Sequence, residues 1–84
     1  MSEIMIYSTT WCVDCRRAKQ FLRERGIAYS EVNIDQAPEA EDLVIQVNNG
    51  RRKVPTIAFE GRYFACSPFD PHQLAEELKI PLNR

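Results

Sequence analysis

Two cysteines separated by two residues, Cys12 and Cys15, are the side chains of this chain best suited to chemistry. They follow the apolar, β-prone residues 4–7 and open a stretch, residues 16–23, of helical character. The unsatisfied N–H groups in the first turn of a helix stabilise negative charge, and the thiolate is the reactive form of cysteine. A Cys-x-x-Cys pair at a strand-to-helix junction therefore predicts a redox-active dithiol.

Asp14 lies between the two cysteines and carries a charge that opposes a thiolate. In water, a unit charge ~6 Å away costs the thiolate about 0.7 kcal/mol. A helix N-terminus in a partly buried geometry stabilises an anion by up to ~2 kcal/mol. We therefore expect the helix terminus to dominate and Asp14 to moderate its effect.

A metal site and a structural disulfide are the alternatives to a redox dithiol. A zinc site usually needs four ligands, and the chain offers only Cys12, Cys15, Cys66 and His72. Because no second Cys-x-x-Cys and no His-x-x-x-His occurs, the spacing does not support a metal site. The context of the motif favours redox chemistry, and we predict no metal.

The composition places the chain among small globular proteins. Its 84 residues, 44% hydrophobic with a formal net charge of -1, predict one domain over residues 1–84. The near-neutral charge argues against nucleic acid as the main partner. There is no apolar run of ~18 residues, no basic leader and no even set of cysteines, so we expect a cytoplasmic protein without a membrane span.

The pattern of apolar, capping and turn residues predicts the element order βαβαββα. Strands are expected at residues 4–7, 29–33, 54–59 and 62–65, and helices at about 13–25, from Pro38 to the Asn-Asn-Gly run, and after Pro71. Glu60 and Gly61 predict the turn of a hairpin. Asp70 is the expected N-cap of the last helix.

These residues resemble the glutaredoxin family over the whole chain. The resemblance rests on the Cys-x-x-Cys-x-x-Ala-Lys run from Cys12 to Lys19 and on the later Val54-Pro55-Thr56. It implies an α/β thioredoxin-like fold with a four-stranded mixed sheet. It also implies thiol–disulfide oxidoreductase activity on protein or mixed disulfides, with no bound cofactor.

The resemblance assigns roles to individual positions. Cys12 matches the exposed nucleophile and Cys15 the buried resolving cysteine. Pro55 matches a proline whose preceding peptide bond is cis in the family. A cis bond there would point the Val54 backbone at the substrate. The alternative is an ordinary trans proline at the start of a strand. Arg52 lies where relatives often place a cation for a glutathione carboxylate, and its alternative is a solvated loop.

Several positions depart from glutathione-using relatives. Where those relatives have Cys-Pro-Tyr-Cys, this chain has Val13 and Asp14 between its two cysteines. Where they often have a lysine, three residues before the nucleophile, this chain has Thr9. Their Gly-Gly-x-Asp segment corresponds to residues 65–68, which include Cys66 and Ser67 but no acid. We therefore expect weak use of glutathione.

Trp11 and the Ser67-Pro68 turn are more similar to mycoredoxins and to the glutaredoxin-like electron donors of ribonucleotide reductase. The resemblance implies that electrons come from glutathione or another low-molecular-weight thiol, or from thioredoxin reductase. Trp11 either faces a partner or packs against the hairpin. Cys66 is either a small buried hydrophobe or part of the site, and His72 is expected to be exposed without a role.

The sequence thus predicts a monomeric oxidoreductase acting on disulfide-containing proteins. The expected site residues are, besides the two catalytic cysteines, Trp11, Val13, Arg52, Val54, Pro55, Cys66 and Ser67. The rival is a metal or iron–sulfur carrier that uses Cys12. Relatives of that kind generally have serine at the position of Cys15, which favours redox chemistry here.

Overall fold

The computed structural model of the chain describes residues 3–80. The elements are strand β1 Ile4–Ser8, helix α1 Val13–Glu24, strand β2 Ser30–Asn33, helix α2 Pro38–Val47, strand β3 Thr56–Phe59, strand β4 Arg62–Ala65 and helix α3 Pro71–Leu78. This is the predicted order βαβαββα. A short 3₁₀ turn, Ile34–Gln36, lies between β2 and α2 and was not predicted.

The four strands form one mixed sheet in the order β2-β1-β3-β4. β1 pairs with β2 in parallel and with β3 in antiparallel orientation, and β3 pairs with β4 in antiparallel orientation. The predicted four-stranded mixed sheet is therefore confirmed. Parallel pairing of β1 and β2 requires a crossover connection, which α1 supplies.

Alternation along β1 directs Ile4, Ile6 and Ser8 to the buried face of the sheet. On α1, Ala18, Phe21 and Leu22 recur at helical spacing and meet that face. β3 contributes Ile57, and Leu74, Ala75 and Leu78 of α3 complete the cluster. This core fixes the N-terminal end of α1, where the two cysteines lie, against the sheet.

Four predicted boundaries differ from the structure by one or two residues: β2 begins at Ser30 rather than at residue 29, α1 ends at Glu24 rather than at about residue 25, and β1 and β3 differ as follows. The third strand begins at Thr56 rather than at residue 54, because Pro55 has no backbone N–H to donate to a neighbouring strand. The first strand extends to Ser8, one residue further than expected. The hairpin turn is confirmed, with positive φ at both Glu60 (53°) and Gly61 (78°), as a two-residue turn requires. The Asp70 cap is also confirmed, since its side chain accepts the His72 N–H at 2.9 Å.

Within residues 3–80, no helix is both long enough and apolar enough to cross a membrane.

Candidate active site

Cys12 lies immediately before α1 and caps that helix with its own side chain. Its backbone is extended (φ -92°, ψ 120°), and its sulfur accepts a hydrogen bond from the Cys15 N–H at 3.1 Å. Its carbonyl accepts the first hydrogen bond of the helix, from the Arg16 N–H at 3.1 Å. The Cys12 sulfur is half-buried and points at the helix N-terminus, where a thiolate is stabilised.

Cys15 differs from Cys12 in burial and in acidity. Its side chain is fully buried, one turn into α1. Burial raises the pKa of the Cys15 thiol to about 12, and its hydrogen bond to Cys12 adds to the effect. A backbone hydrogen bond from Thr9 and the charge of Lys19 act in the opposite direction. Cys15 is therefore a protonated thiol at neutral pH, beneath a more exposed partner.

The Val54-Pro55 segment lies across from Cys12. The bond between the two residues is cis, as the family resemblance implies, and Pro55 is buried. The Cys12 thiol donates to the Val54 carbonyl at an Sγ-to-oxygen distance of 3.7 Å. The structure thus brings Cys12, Val54 and Pro55 together.

Residues 65–70 form a second flank, tied to the Cys-x-x-Cys turn by an unpredicted contact. The backbone N–H of Phe69 donates to Asp14 Oδ1 at 3.0 Å. The Ser67-Pro68 bond is also cis, and Ser67 is exposed. Asp14 therefore joins the dithiol turn to the segment that follows β4.

Of the two alternatives for Cys66, its burial in the core favours a small buried hydrophobe. It is fully buried in the core cluster, and burial raises the pKa of its thiol. Its sulfur donates to the Asp70 carbonyl at 3.8 Å, and its N–H donates to the Pro55 carbonyl at 2.9 Å. Cys66 thus holds the Pro55 and Ser67 segments together through its backbone. His72 is exposed.

Two apolar side chains adjoining Cys12 in sequence are exposed. Trp11 is 79% exposed and Val13 is 50% exposed. This exposure excludes the alternative that Trp11 packs against the hairpin. Whether the two side chains contact a substrate stays a prediction, since single exposed apolar residues are ordinary on protein surfaces.

Arg52 is held by two carboxylates. Its Nε donates to Glu41 Oε2 at 2.6 Å, and its Nη2 donates to Asp35 Oδ1. These contacts raise the pKa of Arg52, with the hydrogen bond to Glu41 the largest cause. The guanidinium expected to meet a glutathione carboxylate is therefore already engaged within the chain.

Lys19, in the second turn of α1, belongs to a polar network that sequence patterns did not reveal. Its Nζ contacts Glu31 Oε2 at 2.7 Å, and the buried Ser8 hydroxyl donates to the same oxygen at 2.6 Å. Burial acts to raise the pKa of Glu31, but the hydrogen bonds from Lys19 and Ser8 outweigh it and the pKa is lowered. The network holds the Lys19 ammonium in a position from which its charge lowers the pKa of Cys15.

Within residues 3–80, no group of three or more His, Cys, Asp or Glu side chains is arranged to hold a metal ion. The site instead combines a half-buried sulfur at a helix N-terminus with a fully buried thiol, on a thioredoxin-like fold. It defines a thiol–disulfide oxidoreductase.

Comparison with known proteins identifies the family. The glutaredoxin family model matches residues 4–64, so the chain belongs to the glutaredoxin family. It is 38% identical over 73 residues to the glutaredoxin-like protein NrdH of Lactococcus lactis subsp. cremoris, covering 87% of this chain and 96% of that one. It is 36% identical over 76 residues to mycoredoxin 1 of Corynebacterium glutamicum, covering 90% and 94%.

Among solved structures, the NrdH-redoxin of Escherichia coli superimposes with a TM-score of 0.66 at 27% identity, over 75% of this chain and 80% of that one. The predicted resemblance to mycoredoxins and to glutaredoxin-like electron donors is confirmed by these relatives. The chain is accordingly a glutaredoxin-like thiol–disulfide oxidoreductase.

Proposed function

We propose that Cys12 is the attacking thiol and Cys15 the resolving thiol in the reduction of protein disulfides. The observation that carries this proposal is the contrast between the two side chains. Cys12 is half-buried and accepts an N–H at the helix terminus, whereas Cys15 is fully buried. Only Cys12 offers a sulfur that a substrate disulfide can approach.

The cycle transfers two electrons to the substrate. The Cys12 thiolate attacks one sulfur of the substrate disulfide, forming a mixed disulfide and releasing the other sulfur as a thiolate that takes up a proton. The Cys15 thiol then loses its proton and attacks the Cys12 sulfur, which releases the second substrate thiol. The substrate is reduced, and the protein is left with a Cys12–Cys15 disulfide.

The acidity of Cys15 changes in a useful direction during this cycle. The hydrogen bond to Cys12 and the Cys12 charge both raise the pKa of Cys15 in the free dithiol. Both contributions end when the Cys12 sulfur is bonded to substrate. The Thr9 N–H and the Lys19 charge, which lower the pKa of Cys15, remain. The resolving thiolate thus becomes easier to form only once it is needed.

The substrate chain is proposed to lie in extended form between Val54 and Ser67. The Val54 carbonyl is 3.7 Å from the Cys12 sulfur, so backbone pairing at Val54 would bring a substrate sulfur beside Cys12. Pro55 shapes this edge, Trp11 and Val13 supply apolar contact, and Ser67 is exposed on the opposite flank. Cys66 supports the site from beneath.

For the electron donor, we favour thioredoxin reductase over glutathione. Arg52 is engaged by Asp35 and Glu41, which weakens its claim as a carboxylate site for glutathione. The E. coli NrdH-redoxin is described as having a thioredoxin-like activity profile. A low-molecular-weight thiol other than glutathione is the second candidate, supported by the likeness to mycoredoxin 1.

We further propose that residues 1–84 act as one monomeric domain in the cytoplasm. The core cluster draws on β1, α1, β3 and α3, which supports a single unit. An odd number of cysteines, three, does not form the disulfide framework of a secreted domain, which supports a reducing compartment.

A donor assay tests the proposal. The wild-type protein is given a protein disulfide and NADPH, with either thioredoxin reductase alone or glutathione plus glutathione reductase, and NADPH oxidation is followed. We expect faster turnover with thioredoxin reductase and none with a Cys12→Ser variant. Turnover supported by the glutathione system alone would overturn the donor assignment. Unchanged turnover by the Cys12→Ser variant would overturn the role of Cys12.

A further inference from the structure

The charges around the dithiol are distributed unevenly. Four cations lie in the two segments that flank it: Arg16 and Arg17 in the first turns of α1, and Arg51 and Lys53 just before Val54. We call these four side chains the basic rim. Among residues 3–80, none of the four is paired with a carboxylate.

Among the other described lysines and arginines, four are paired with acids, whereas Arg23 donates to the Tyr29 hydroxyl and Arg25 to the Phe21 carbonyl. Acids hold Lys19, Arg52, Arg62 and Lys79. The chain has 12 acids for 11 lysines and arginines, so the unpaired state of the rim does not follow from a shortage of carboxylates. Asp14, the one acid within residues 11–17, is itself engaged by the Phe69 N–H.

The rim residues belong to the two segments that meet at the Cys12 sulfur, the start of α1 and the residues before Val54. The backbone N–H of Arg16 donates to the Cys12 carbonyl, and Arg17 lines a shallow hollow beside α1 with Phe21, Phe69 and, further along the helix, Glu24. Lys53 adjoins Val54, whose carbonyl contacts the Cys12 sulfur. The exposed Trp11 and Val13 lie beside Cys12 in the centre.

An apolar centre with a charged edge is the organisation of a protein-docking surface. Buried aromatic contacts supply affinity, and charges at the edge select partners and accelerate their encounter. A cationic edge attracts an anionic partner. We propose that the disulfide-bearing segment of the physiological partner is acidic, with aspartate or glutamate residues on both sides of its cysteines.

This inference rests on the proposed function and names the chemistry of its protein partner. Peptide substrates of equal length and cysteine spacing test it. The acidic peptide has four Asp or Glu residues around its disulfide, and the neutral peptide has Asn or Gln at the same positions. A third carries lysines there. The wild-type protein should reduce the acidic peptide about tenfold faster than the neutral one at low salt. That preference should largely vanish at ~1 M salt, where the Debye length is about 3 Å.

Two double variants, R16Q with R17Q and R51Q with K53Q, examine the two sides of the rim. Each should lower kcat/KM for the acidic peptide about threefold, the size expected for two exposed charge pairs, and leave the neutral peptide nearly unchanged. The matched control, R23Q with K79Q, removes two cations at the C-terminal ends of α1 and α3, away from Cys12 at the N-terminus of α1. It should change neither the rate on the acidic peptide nor the rate on the neutral one. The neutral peptide also shows that each variant is folded and active.

The possible outcomes separate the inference from the proposed function. Equal rates on acidic and neutral peptides, a preference for the lysine peptide, or an equal loss in the control variant would overturn the acidic-partner inference. If no peptide disulfide is reduced at all, the proposed function itself fails.

Discussion

Asp14 Oδ1 and the backbone N–H of Phe69 are 3.0 Å apart although 55 residues separate them in sequence. This hydrogen bond joins the segment that follows β4 to the Cys-x-x-Cys turn. It also gives the Asp14 carboxylate a hydrogen-bond partner within the chain.

Replacing Asp14 by alanine should release the Phe69 amide. A hydrogen bond to a charged acceptor contributes about 1.5–3 kcal/mol, so exchange of the Phe69 amide with solvent should accelerate at least about tenfold. Asp14→Asn retains an acceptor oxygen without the charge and should retain most of the protection. Hydrogen exchange followed by NMR measures both. Equal protection in wild type and Asp14→Ala would show that the contact contributes nothing.

The roles of the two cysteines lead to opposite outcomes for their serine variants. Cys15→Ser keeps the attacking thiol but cannot resolve, so it should accumulate a mixed disulfide with a protein substrate. Cys12→Ser leaves only the buried thiol at this position and should accumulate none. Mass spectrometry after incubation with the disulfide distinguishes them, with the wild-type protein as control. Trapping by Cys12→Ser but not by Cys15→Ser would reverse the assignment.

What the sequence predicted depends on how local each signal is. The Cys-x-x-Cys turn, the apolar stripe of α1 and the Asp70 cap lie within short stretches of chain, so residue type and spacing predicted them. The contact of Asp14 with Phe69 and those of Arg52 with Asp35 and Glu41 are formed only by tertiary structure. No local pattern reports which distant group a charged side chain will meet. The 79% exposure of Trp11 is equally a property of the assembled surface.

Lys19 should affect the resolving step more than the first attack. Its charge lowers the pKa of Cys15, so Lys19→Gln should raise that pKa further and reduce the fraction of Cys15 thiolate near neutral pH. The lifetime of the mixed disulfide should lengthen about threefold or more, as expected for loss of ~0.7 kcal/mol of thiolate stabilisation. Rapid acid quenching and mass spectrometry measure it. Lys19→Arg keeps the charge and should behave like wild type; an equal delay in that variant would exclude a charge effect.

Glu31 should make the protein more stable at neutral than at acidic pH. Its pKa is lowered in the folded state, so its contribution is present above the ordinary value of 4.5 and is lost as pH falls through the folded value. Glu31→Gln should reduce the free energy of unfolding at pH 7 by less than about 1 kcal/mol, because the carboxylate is partly exposed. Denaturant titrations at pH 7 and below pH 4 measure the difference, which should shrink in acid. Glu76→Gln, an exposed acid on α3, is the control, and the same pH trend in that variant would contradict the role of Glu31.

Releasing Arg52 should improve the use of glutathione. In Asp35→Asn combined with Glu41→Gln, the guanidinium loses both carboxylates and becomes available to a glutathione carboxylate, which it can bind through two hydrogen bonds. Exposed ion pairs contribute about 0.2–1 kcal/mol each, so the KM for glutathione should fall roughly two- to fivefold. Steady-state kinetics with glutathione reductase measures it.

The matched control for the Asp35 and Glu41 substitutions uses two other acids of α2, the helix that carries Glu41. Glu39→Gln with Asp42→Asn also removes two charges from the chain, but neither residue contacts Arg52 within residues 3–80. This variant should leave the KM nearly unchanged. Adding Arg52→Gln to the first pair should abolish the gain. If the KM for glutathione falls equally in the control, the effect is due to net charge. If the lower KM survives Arg52→Gln, another cation binds the glutathione carboxylate.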